Sequence, residues 1–185
     1  DYGRIHPTIL YADKGIVLEE DAYDIGIGEG HRDIVKQSFN AMVQAKSKLT
    51  TPPKNVDWKS TGRTWKELRQ LILDKHEPIK DSFFCGMGNR LQFRDSQLAE
   101  QIMLRFAKQD IPVLPVHDSF IIIRGLYSEL VNAMHDEFEK MFGVPINIDD
   151  SAKASLVSFP PENVDVDWTI SETDKYSSWT DRNPL

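Results

Sequence analysis

The stretch PVLPVHDSFIIIR, residues 112–124, limits what this chain can fold into more than any other. Val113, Leu114 and Val116 lead to a bare His117-Asp118 dipeptide, and Phe120, Ile121, Ile122 and Ile123 follow it. Short runs this rich in β-branched and aromatic residues predict two strands of a buried sheet. The dipeptide between them is then the tip of a tight hairpin. A carboxylate in such a place is costly unless water, a cation or a metal meets it. Two readings follow from the stretch itself: a polar turn, or a metal-binding carboxylate held rigidly.

The remaining pattern is mostly helical. Ile5, Ile9, Leu10 and Tyr11 suit a short helix that Pro7 can enter in its first turn. The Gly- and Asp-rich run DKGIVLEEDAYDIGIGEG reads as a loop. From His31, HRDIVKQSFNAMVQAKSKL places Ile34, Val35, Phe39, Met42 and Val43 on one apolar stripe and Arg32 and Lys36 one turn apart on another face. TTPPKNVDWKSTG is a linker by composition, and Thr64 to Lys75 predicts a second amphipathic helix. SFFCGMGNRLQF suggests a close turn in which Cys85 is a small buried residue. Asp95 or Ser96 can cap a helix over about 96–109, and 127–142 gives another, ended by Gly143. VPINI reads as an edge strand, and Trp168 and Trp179 in the acidic tail hint at docking.

With 185 residues the chain can hold one sizeable core. A single cysteine rules out an internal disulfide and fits a reducing compartment. The apolar runs are too short to span a bilayer, and no signal-peptide pattern opens the chain, so a soluble, cytoplasmic protein with no membrane partner is expected. The opening Asp1, running straight into an apolar stretch, suggests that an upstream strand and further polypeptide precede this numbering. Net charge is −7, yet residues 31–110 alone carry +6 and the segments around them are all negative. A positive middle can hold phosphates while carboxylates elsewhere hold cations; charge scattered over a solvated surface is the plainer alternative.

Asp1 and Asp118 are carboxylates that a sheet can bring together, and the helix between them offers Arg32 and Lys36. Paired carboxylates can hold two divalent ions that activate an attacking hydroxyl and neutralise a leaving pyrophosphate. Magnesium suits such oxygen ligands, with manganese as its substitute. Cations one helical turn apart can grip a triphosphate.

DYGRIHPTILYA, RDIVKQSFNAMVQA, RLQFRDSQLAEQIM and PVHDSF, in that order, resemble the palm and fingers of single-subunit polymerases, the phage and mitochondrial type RNA polymerases and their DNA polymerase I-like relatives. The resemblance covers about residues 1–148. It implies an α+β fold: a palm with a small antiparallel sheet and a His-Asp hairpin, backed by helices, and a reduced fingers insertion. Residues 1–30 would be the first palm motif, 31–82 a fingers-like segment, 83–148 the palm with its catalytic hairpin, and 149–185 an acidic tail. It implies metal ligation by Asp1 and Asp118, triphosphate contacts from Arg32 and Lys36, and a primer or template role for His117 and Gln92. Tyr2 and Gln44 would line the nucleotide site. Nucleic-acid template and primer, with NTP or dNTP, would be the partners.

The chain departs from that pattern in the fingers. Gln44 stands eight residues after Lys36, where the RNA polymerase branch places a tyrosine, and Asn40 stands four residues after it. His6 replaces the glutamate that excludes ribose in DNA polymerase I relatives. No exonuclease, promoter-recognition or thumb region is visible. Two other function classes therefore stay open: a palm-derived domain that binds nucleic acid or protein without synthesis, and a metal-dependent nuclease, for which no general base stands out.

Overall fold

Helices carry most of the computed structural model, which describes residues 2–116 and 119–148. In chain order they are α1 (Ile5–Ala12), α2 (Arg32–Gln44), α3 (Trp65–Lys75), α4 (Gly88–Ala107) and α5 (Tyr127–Phe142). Between α4 and α5 lie β1 (Leu114–Val116) and β2 (Ser119–Ile121), a two-stranded antiparallel sheet. The fold is thus α+β in the general sense.

Local chemistry explains most boundaries. Thr64 and Glu67 form a capping box at the start of α3: the Thr64 hydroxyl accepts from the Glu67 N–H at 3.3 Å, and the Glu67 carboxylate accepts from the Thr64 N–H at 2.7 Å. Gly143 ends α5 in the left-handed region, φ 73°, where a side chain would be strained. The Ile5–Ala12 helix accepts Pro7 in its first turn, as its sequence predicts.

Two helix boundaries differ from expectation. The periodicity predicts α2 running past Gln44, but the helix stops there and its last carbonyls find other donors. Phe84, Gly86 and Met87 give their N–H groups to the carbonyls of Met42, Ala45 and Val43, at 2.9, 2.9 and 3.1 Å. That graft also starts α4 early. It begins at Gly88, not near Ser96, because Leu91 extends the buried stripe of Leu98, Ile102 and Phe106 by two turns. Cys85 within the same turn is exposed rather than buried. Phe83 occupies the inward position, and the Cys85 thiol donates to the Asp81 carbonyl at 3.4 Å.

The hairpin corrects a third expectation. Leu114 pairs with Ile121 and Val116 with Ser119, which leaves the dipeptide His117-Asp118 as the connection. The strands do not form a buried sheet, however. Phe120, Ile122 and Val113 pack against the core, while Leu114, Val116, Ile121 and Ile123 on the other face are 61, 45, 56 and 59% exposed. Two strands bury one face against the helices, and no described residue covers the second. VPINI likewise forms no ladder among the described residues. Among the described residues it makes a single antiparallel bridge, Tyr2 to Ile148, and Val144 and Ile146 turn into the core.

One hydrophobic cluster runs from Tyr2 to Ile146, so the predicted 1–30, 31–82 and 83–148 segments share a core. Phe138 links Tyr2 and Phe142, with ring centroids 5.8 and 4.6 Å away. Phe39 of α2 packs edge-on to His76 and Phe83 at 4.9 and 5.2 Å. Expectations for the tail from Asp149 fall outside the described residues. Among the described residues no helix is long and apolar enough to cross a membrane.

Candidate functional site

A cleft of about 380 Å³ opens where the start of α1, the middle of α2 and the first half of α4 meet. α1 and the residues before it supply Tyr2, Arg4 and His6; α2 supplies Lys36 and, one turn on, Asn40; α4 supplies Gln92 and Asp95. Tyr23 closes one side from the loop between α1 and α2. Helical spacing explains the set. Buried Val35, Phe39 and Met42 turn one face of α2 inward, which leaves Lys36 and Asn40 beside that stripe. Leu91 and Leu98 do the same for Gln92 and Asp95 on α4.

Of the residues singled out in the sequence, Tyr2, Lys36 and Gln92 come together here. Lys36 is exposed and has no ion pair or hydrogen bond among the described residues. Tyr2 is 2% exposed, and its hydroxyl donates to the Met134 carbonyl at 2.7 Å. Burial, with Asp95 and Glu137 adding to it, pushes the phenol far above its ordinary pKa and keeps it neutral. Tyr2 therefore meets the cleft from the core, with its polar group already satisfied.

Arg32 does not line the cleft. Its Nε and Nη2 donate to Asp21 Oδ2 and Oδ1 at 2.6 and 3.2 Å, and its guanidinium lies 5.1 Å from the Tyr23 ring centroid. Burial pushes the Asp21 carboxyl up, but the Arg32 hydrogen bond, the Tyr23 N–H and the Arg32 and Arg4 charges together hold it below its usual range. Gln44 also lies elsewhere, against Gly88 at the α2–α4 crossing. Asp1, His117 and Asp118 fall outside the described residues, and among the described ones no three His, Cys, Asp or Glu side chains are grouped to hold a metal.

A buried network behind the cleft escaped the sequence reading. His76 is fully buried, with Nε2 2.8 Å from the Ala22 carbonyl and Nδ1 3.0 Å from the Tyr11 hydroxyl. The carbonyl can only accept, so Nε2 carries the proton and Nδ1 accepts from Tyr11. Burial pulls the imidazole down to about 4, against the opposing Ala22 bond and with the Lys75 charge adding to it. Ala22 sits between Asp21 and Tyr23, so His76 anchors the segment that grips Arg32. Neither Asp21 nor His76 belongs to a periodic motif; only their partners reveal them.

Compared with protein-family models, curated proteins and solved structures, the chain matches none.

Proposed function

We propose that this chain is the palm-and-fingers part of a template-directed nucleotidyltransferase. One observation carries the reading: the cleft draws Tyr2, Lys36 and Gln92 from three separate stretches that resemble polymerase motifs into a single wall. Such convergence of unrelated segments supports a nucleotide site better than motif order does. The reading gives the cleft an incoming NTP or dNTP and gives nucleic acid the net positive stretch 31–110.

In this reaction the 3′ oxygen of the primer forms a bond to the α-phosphorus, the bond from that phosphorus to the bridging oxygen breaks, and pyrophosphate leaves. Lys36 faces the negative charge that grows on the departing phosphates. Gln92 and Asn40 offer amide groups to the base or sugar. Asp1 and Asp118 provide hard oxygen donors that fit magnesium, and the metal when bound would lower the pKa of the attacking hydroxyl and stabilise the leaving oxygen. Positioning and electrostatics supply the acceleration.

A second reading has an observation of its own. Gln44 is used in packing against Gly88, where a nucleotide-stacking ring would be expected, which favours a palm-derived binding domain without synthesis. Primer extension with labelled NTPs and dNTPs in separate reactions, with and without chelator, decides between the two. Extension that Lys36→Ala reduces by about 100-fold, a loss of about 2.7 kcal/mol of transition-state stabilisation, supports the transferase. Template binding with no incorporation supports the binding domain.

A further inference from the structure

The cleft is lined by a cationic side chain, Arg4, to which the motif resemblance gives no role. Arg4 lines it together with Lys36, and among the described lining residues Asp95 is the one carboxylate set against them. What engages Arg4 separates it from Arg32. Asp21 cancels the charge of Arg32 through two hydrogen bonds. Arg4 Nη1 instead donates to the backbone carbonyl of Glu20, a neutral acceptor that orients the guanidinium, and Asp21 acts on Arg4 through its charge without a hydrogen bond. Glu20 is the one hydrogen-bond acceptor of Arg4 among the described residues, and an arginine fork has five N–H donors. The unused donors suit phosphate oxygens in two-point contacts.

The segment that orients Arg4 is fixed at three consecutive residues and the one after them. The Glu20 carboxylate pairs with Lys75, Asp21 with Arg32, the Ala22 carbonyl with His76, and Tyr23 lies under the Arg32 guanidinium. We propose that Arg4 and Lys36 hold the triphosphate of the incoming nucleotide, and that Arg32 is a positioning residue that fixes Glu20–Tyr23 and through it Arg4. This rests on the nucleotide reading of the cleft. It moves the phosphate contact that the motif resemblance gives to Arg32 onto the start of α1.

The test is calorimetric titration of the full chain at low salt with sodium tripolyphosphate, beside Arg4→Gln, Arg4→Lys and Arg32→Gln, with a thermal melt of each. Arg4→Gln should weaken tripolyphosphate binding by about tenfold or more with little change in melting temperature, and Arg4→Lys should recover part of the loss. Arg32→Gln should lower the melting temperature and weaken binding less than Arg4→Gln does. Arg4→Gln binding like the parent, a larger loss in Arg32→Gln, or no tripolyphosphate binding by the parent would overturn the proposal. So would Arg4-dependent binding of a short oligonucleotide without tripolyphosphate binding, which would assign Arg4 to the nucleic-acid backbone. Primer extension run on the same variants keeps the two claims apart. Activity that ignores Arg4→Gln sinks the triphosphate assignment and leaves the transferase standing, whereas Arg4-dependent tripolyphosphate binding without extension does the reverse.

Discussion

His76 is a histidine the fold keeps neutral, and its chemistry reaches the cleft through the backbone of Ala22. Its pKa falls from an ordinary value of about 6.5 to about 4 because burial disfavours the imidazolium. Between those values the unfolded chain binds a proton that the folded chain refuses. By linkage, stability is fully present above the unfolded value and declines as pH drops through the window, reaching a loss of about 3 kcal/mol near its lower end. A denaturant series from pH 7.5 to 4.5 on the parent and His76→Gln checks this. The parent curve should fall more steeply than the variant's below about pH 6.5, although the variant starts from lower stability. Parallel curves would mean that His76 does not stay neutral in the fold. A histidine at this position is legible in the sequence; that it would be a buried, doubly bonded anchor is not, because Ala22 and Tyr11 lie 54 and 65 residues away.

The α2–α4 crossing depends on a glycine. A Cβ on Gly88 would stand 2.7 Å from Gln44 Cγ and 3.4 Å from Gln44 Cα. Gly88→Ala should therefore cost about 1–2 kcal/mol in spite of the higher helix propensity of alanine. Adding Gln44→Ala removes the nearer atom and should restore a good part of it, a coupling that a double-mutant cycle reads directly. Simple additivity of the two changes would show that the close approach is not what matters. The start of α3 offers an independent check: Thr64→Ala removes the capping box and should lower stability by about 1 kcal/mol in a chemical denaturation experiment. α3 is legible from its Thr64 cap and apolar stripe, and α5 from its apolar stripe and the glycine that ends it. The start of α4 is not legible locally, since its N-terminal turn has no side-chain cap and is fixed by carbonyls of α2 that no local pattern announces. The hairpin strands are legible and their burial is not, because alternation tells which residues share a face but not whether another layer covers it.

The molecule as a whole joins a helical core to a cleft whose charges come from separate stretches of chain. Sequence supplied Lys36, Gln92 and the order of the motifs; the fold added Arg4 and detached Arg32 from the group. Arg32 could not be told from Lys36 by spacing, since both project from α2 and only Asp21, in a loop without periodicity, distinguishes them. The exposed apolar face of Leu114, Val116, Ile121 and Ile123 lies on the hairpin that carries Asp118 between its strands. Polar substitution of Ile121 and Ile123 together, as Ile121→Thr with Ile123→Thr, should leave the melting temperature nearly unchanged, because neither side chain is buried in the core. A large drop would show that this face is covered in solution. The most direct test of the transferase claim is primer extension by the parent and by Asp118→Asn, with magnesium and a defined template, followed nucleotide by nucleotide. Template-directed extension that falls by at least about 1000-fold in Asp118→Asn, while template binding and the melting temperature are kept, is the result predicted here. Equal extension by both proteins, or none by a folded, template-binding parent, would contradict it.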